Sequence, residues 1–95
     1  MSNYLIVTRH TNLIKVLQEH FPFLTDATVC THITDPNILK NKHVFGILPL
    51  HFASLCDTIT TIDMDVPSDY RGKELSYDEI KEFYKGTNTY KVTKV

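Results

Sequence analysis

The chain has 95 residues, 42% of them hydrophobic, with ten Lys and Arg against eleven Asp and Glu and a formal net charge of -1. That length supports a single domain, 1–95, around one modest core, and the balanced charge supplies no field that would draw the molecule onto duplex nucleic acid or an anionic membrane. No run approaches the roughly 18 apolar residues of a bilayer span, and no basic region followed by an apolar stretch opens the sequence, so a cytoplasmic protein is expected.

Tyr4, Leu5, Ile6 and Val7 form a short continuous apolar run, the pattern of a strand covered on both faces. Asn12 is a candidate N-cap for a helix in which Leu13, Ile14, Val16, Leu17 and Phe21 recur at helical spacing, and Pro22 closes it. The β-branched stretch 27–33 predicts a second strand, with Cys30 and His32 on the same face. TDPNILKNK then opens on an Asp-Pro turn and has room for a helical turn or two. VFGIL, 44–48, predicts a third strand, and Pro49 begins a helix whose inner stripe is Phe52, Leu55, Cys56 and Ile59.

Ile62, Met64 and Val66 alternate with Asp63 and Asp65, which predicts a half-buried fourth strand ended by Pro67. After the loop PSDYRGKEL, Ser76 and Glu79 have capping-box spacing, and Leu75, Ile80, Phe83 and Tyr84 give the following helix an apolar side that ends before Gly86. Residues 89–95 predict a last strand at a sheet edge, marked by Lys91 and Lys94 and free to run antiparallel. Alternating strands and helices with short connections define an α/β protein. The expectation is a small Rossmann-like three-layer domain with a mostly parallel sheet of about five strands.

In such a sheet the ligand sits outside the carboxyl ends of the strands. The first strand is followed by Thr8, Arg9, His10 and Asn12, the second by His32, the third by Pro49 and His51, and the fourth by Tyr70, Arg71 and Lys73. Arginine and imidazole groups beside helix amino ends suit a phosphate. Arg9 is read as a bidentate phosphate ligand or as a stabiliser of charge on phosphorus, against an ion pair at the sheet edge. His10 is a general acid or base, or a histidine held by hydrogen bonds before a helix. His51 reaches a ligand or packs against its helix. His32 packs or contacts ligand, and Arg71 clamps a ligand or pairs with Glu74.

Tyr4, Tyr70 and Phe52 are candidates for stacking on bases. Asp63 and Asp65 lack a third ligand at recognisable spacing, so no metal is expected. Cys30 and Cys56 read as reduced thiols inside the fold. Neither a GxGxxG nor a GxxxxGK[ST] element is present, and no cofactor is expected.

The succession VTRH, HITDP, GILPLHFAS and DVPSDYRGKELS resembles the CRISPR-associated Csx accessory proteins of the sixteenth type, over most of the chain. The resemblance implies a ring nuclease of type III CRISPR antiviral defence, a homodimer that degrades the cyclic tetra-adenylate messenger. It carries Arg9 and His10 onto the family's arginine-histidine pair. It places Gly46, Leu48 and Pro49 in its Gly-x-Leu-Pro turn, and Arg71, Gly72, Glu74, Leu75 and Ser76 in its loop. His51 falls where either His or Asn occurs. Thr11 and Asn12 stand in place of a usual Pro-Gly, the first helix has no Trp, and Asp63 replaces a Ser.

Residues and resemblance together assign Arg9 and His10 to catalysis and Thr8, Asn12, His32, Gly46, Leu48, Pro49, His51 and Arg71 to ligand binding. The reaction is metal-independent attack of a ribose 2′-hydroxyl on its neighbouring phosphorus, giving a 2′,3′-cyclic phosphate. A 95-residue monomer offers little concave surface for four nucleotides, so a two-fold homodimer is expected. The alternatives are a protein that sequesters the cyclic nucleotide uncut, a metal nuclease built on Asp63 and Asp65, and an interaction protein in which the rim is incidental.

Overall fold

Burial of Leu5, Ile6 and Val7 on both faces places β1 (Tyr4–Val7) inside the sheet of the computed structural model, which describes residues 3–95. Five strands form one sheet in the order β2-β1-β3-β4-β5, with β2 spanning Thr28–Cys30, β3 His43–Gly46, β4 Thr58–Met64 and β5 Tyr84–Tyr90. The first four are parallel, and β5 runs antiparallel to β4 at the edge. From β1 the chain moves outward to β2, returns past β1 to β3, and continues the other way. That reversal creates a topological switch point between β1 and β3, where their carboxyl ends part.

Alternation along the strands divides the core into two halves. Ile6 and Phe45 face α1 (Thr11–His20) and α3 (Tyr77–Phe83), packing with Val16, Leu17, Leu24, Ile80 and Phe83. Leu5, Val7, Val44 and Ile59 face the opposite layer, made by Leu39 and by Ala53 and Cys56 in and after the single-turn helix α2 (Leu50–Ala53). The three-layer α/β arrangement expected from the sequence is the one observed. Tyr77 donates its hydroxyl to Glu19, joining α3 to α1, and this carboxylate bond holds the phenol above its ordinary pKa.

Several boundaries differ from expectation, each for a local reason. The α1 N-cap is His10 rather than Asn12, which lies inside the first turn. The expected helix through Ile59 stops at Ala53. Residues 58–61 are Thr-Ile-Thr-Thr, a β-branched run that pairs with β3 instead, and the Asp57 N–H is already taken by the Lys42 carbonyl at 2.9 Å. The last strand begins at Tyr84, immediately after α3, and a bulge between Asp63 and Met64 accommodates Lys85. Gly86 therefore lies within β5, and Lys91 and Lys94 follow the strand.

β3 ends at Gly46 because the backbone there turns to φ 144° while lying against β1. A β-carbon at this position would sit 2.1 Å from the carbonyl oxygen of Val7, its register partner. Only glycine allows the two strands to approach so closely.

Gly46→Ala is expected to lower stability by about 3 kcal/mol or more, since strain and overpacking add at a buried strand end. A fall in the urea midpoint with an unchanged slope would register it. The capping box at α3 is complete: Ser76 Oγ accepts from the Glu79 N–H at 3.2 Å, and the Ser76 N–H donates to Glu79 Oε1 at 2.9 Å. Ser76→Ala should cost about 1 kcal/mol by the same measurement.

Candidate functional site

The turn leaving β1 is fixed by its own backbone bonds. The Thr8 N–H donates to the Cys30 carbonyl at 3.1 Å, extending the β1–β2 pairing by one residue, and Thr8 Oγ1 accepts from the His10 N–H at 3.1 Å. His10 then caps α1 with extended backbone, its carbonyl accepting from the Leu13 and Ile14 amides at 3.1 and 3.3 Å. Arg9 and His10 are thus held on the rim with their side chains exposed. The first turn of α1 carries no acidic residue, so no carboxylate of that turn offsets the positive end of the helix dipole.

A second loop faces this turn. Residues 70–73 form a type II β-turn, with Arg71 at φ -66° and ψ 135°, Gly72 at φ 81°, and the Lys73 N–H donating to the Tyr70 carbonyl at 3.2 Å. Gly72 is required by the positive φ of the third turn position, and Arg71 stands at the corner. Asn12 ties this loop to α1, its Nδ2 donating to the Leu75 carbonyl at 3.0 Å across 63 residues of sequence. Asn12, expected to bind ligand, uses its amide N–H to fasten the loop that carries Arg71.

Two adjoining cavities open between these segments. The larger, about 740 Å³, has an apolar floor of Leu13, Met64, Val66, Leu75 and Ile80, and a mouth formed by Arg9, His10, Tyr70, Arg71, Lys73 and Glu74. The smaller, about 370 Å³, lies at the switch point, bounded by Thr8, Arg9 and His10 after β1, Thr31 after β2, and Gly46 and Ile47 at the end of β3. Arg9, His10, Leu13 and Met64 belong to both. Among the described residues no carboxylate pairs with Arg9 or Arg71; the ion pair present joins Lys85 to Asp65 at 3.6 Å on the surface. Around the larger cavity three cationic groups therefore stand against the single carboxylate of Glu74.

Of the residues expected to form the site, Thr8, Arg9, His10, Gly46 and Arg71 meet at these cavities. His32, Leu48, Pro49 and His51 do not line them. His32 is exposed beyond the end of β2. Leu48 packs into the core half under α2, Pro49 caps that helix, and the exposed His51 ring rests against Phe52 with centroids 4.4 Å apart. Tyr4 lies at the opposite end of β1 among Phe23, Phe45 and His43, and Phe52 packs beneath α2, so Tyr70 alone of the three expected stacking residues borders a cavity. Met64 and Leu13 were legible only as core positions, since alternation and helical spacing do not distinguish a packed side chain from a cavity floor.

Asp63 accepts a hydrogen bond from Asn88 and Asp65 pairs with Lys85, which commits both carboxylates to β5. No group of three His, Cys, Asp or Glu among the described residues is arranged to hold a metal ion. Cys30 is half-buried and Cys56 buried; burial and the neighbouring Asp57 raise the Cys56 thiol, leaving it protonated and inert at neutral pH. No helix among the described residues is long and apolar enough to cross a membrane.

Comparison with protein families gives a match over residues 5–93 to the family described as "Putative CRISPR-associated protein (Cas_VVA1548)". No curated protein and no solved structure shows significant similarity. The match spans both cavity-forming segments and every strand except the first residue of β1, and the chain belongs to this CRISPR-associated family.

Proposed function

We propose that this protein is a metal-independent ring nuclease that binds cyclic tetra-adenylate and linearises it, switching off type III CRISPR signalling. The observation that carries the reading is the convergence of Arg9, His10 and Arg71 on one rim, with no acidic partner for either guanidinium among the described residues. A cyclic oligoadenylate presents one negative charge per phosphodiester and carries its own nucleophile, the 2′-hydroxyl. The protein must then turn that hydroxyl in line with the departing 5′-oxygen, manage a proton and stabilise charge on the phosphate.

In this scheme the 2′-oxygen bonds to phosphorus as the bond to the 5′-oxygen breaks, leaving a 2′,3′-cyclic phosphate and a free 5′-hydroxyl. His10 takes the 2′-proton or supplies the 5′-proton, and solvent water carries the other. Arg9 offsets the second negative charge that develops on the phosphate oxygens, and Arg71 holds the ring from the facing turn. Family membership supports the CRISPR context, and sequestration of the uncut ring is the competing outcome.

A two-fold homodimer would set two such rims around one ring. Ile47 and Leu50, 79% and 76% exposed, lie beside the rim after β3, and their burial against a second copy would favour this arrangement.

Incubation with cyclic tetra-adenylate in EDTA should yield linear products ending in a cyclic phosphate. Arg9→Ala should lower the rate by about 100- to 1,000-fold, and His10→Ala by about 100- to 10,000-fold. Retention of intact ring bound to the wild-type protein would replace cleavage with sequestration. Light scattering should give a particle of twice the 11.0 kDa chain mass, and Leu50→Asp should shift it toward the monomer.

A further inference from the structure

The larger cavity is amphipathic in a way that phosphate binding alone does not explain. Its floor is formed by apolar side chains from four different segments: Leu13 from α1, Met64 at the end of β4 with Val66 just beyond it, Leu75 before α3, and Ile80 within it. Its mouth carries Arg9, Arg71 and Lys73. A bare anion would engage the mouth and leave the floor in water. A ligand that satisfies both has a flat apolar part joined to an anionic group.

One wall is built to receive a flat ring. Tyr70, 37% exposed, ends the turn Ser68–Tyr70, where its N–H donates to the Pro67 carbonyl at 2.9 Å. Behind it the buried Phe83 meets its ring edge-on, with centroids 5.2 Å apart and planes at 61°. Edge-to-face contact with a core residue restrains the Tyr70 ring, and a restrained aromatic loses little freedom on stacking. Arg71 follows at the corner of the type II turn, and the Asn12 bond to the Leu75 carbonyl holds the far end of the loop to α1. Aromatic wall and cationic corner are adjacent residues that line the same cavity.

We propose that the larger cavity is a nucleotide subsite: one base lies over the apolar floor and stacks on Tyr70, while its phosphate is taken by Arg71 and Arg9 at the mouth. This rests on the ring-nuclease reading for the identity of the base as adenine, but the subsite itself requires only a nucleoside phosphate. It assigns to Tyr70 the task of fixing where the ring sits. Tyr70 is a binding residue that does not share in proton transfer.

The test separates the subsite from the nuclease reading. Adenosine 5′-monophosphate, ribose 5-phosphate and inorganic phosphate are titrated into wild type, Tyr70→Ala and Tyr70→Phe, followed by heteronuclear NMR, with thermal melting to establish that each variant is folded. Wild type should bind the nucleotide at least about tenfold more tightly than ribose 5-phosphate. Tyr70→Ala should lose about 5- to 150-fold of that affinity, and Tyr70→Phe should keep it. With cyclic tetra-adenylate, Tyr70→Ala should raise KM and leave kcat within a few-fold.

Equal binding of nucleotide and ribose 5-phosphate, or a Tyr70→Ala variant with unchanged nucleotide affinity, would overturn the subsite even if the ring is cleaved. Tyr70-dependent nucleotide binding in a protein that leaves the ring intact would support the subsite and reject the nuclease.

Discussion

Val7 and Gly46 lie in register at the carboxyl ends of two central strands, and their backbones approach so closely that no side chain fits between them. The segments that leave β1 and β3 are positioned from this contact. Thr8 continues the pairing toward β2, Arg9 and His10 turn away into α1, and Ile47 leaves in the opposite direction from β3. The opening between those diverging paths is the smaller cavity. A rigid pair of parallel strands with connections leaving to opposite sides is a general solution to the problem of holding a ligand without spending flexible loop on it. Here the strand pair is narrowed to its steric limit.

The charge arrangement follows from the same geometry. A molecule of net charge -1 has no overall attraction for polyanions, yet the rim collects Arg9, Arg71 and Lys73 against Glu74 and keeps other carboxylates elsewhere. Asp63 and Asp65 are engaged by Asn88 and Lys85 of β5. Charged groups left without an opposite partner weaken the folded state slightly and raise affinity for whatever supplies the missing charge. The positive charge is thus a local cluster around one cavity rather than a basic face.

Much of this architecture was legible in the residues. The continuous apolar run at 4–7, the Ser76–Glu79 spacing and the breaks at Pro22 and Pro67 each fix a local conformation with a direct chemical cause, and the α/β alternation follows. Tertiary competition accounts for what was not legible. The stripe Phe52, Leu55, Cys56, Ile59 satisfies helical spacing, but Ile59 is claimed by the sheet because β-branched threonines flank it and β3 offers unpaired backbone.

At the site, segments next to strand ends were found because chain order places them there. His51 and His32 belong to the same rim by chain order, yet neither side chain reaches a cavity; a list of strand-end residues does not tell which way each one points. Asn12 shows the same limit from the other side. Its amide has a partner 63 residues away, which no local pattern encodes.

The junction between α3 and β5 sets a limit on how this fold can change. Phe83 closes the helix and Tyr84 opens the strand with nothing between them, while β4 holds Tyr84 in register opposite Met64. The rotational phase of the helix is consequently slaved to the sheet. One residue inserted at this seam would turn the helix by about 100° and carry Phe83 out from behind Tyr70. A change of length at this joint would therefore be felt at the cavity wall, although neither Phe83 nor Tyr84 lines the cavity itself.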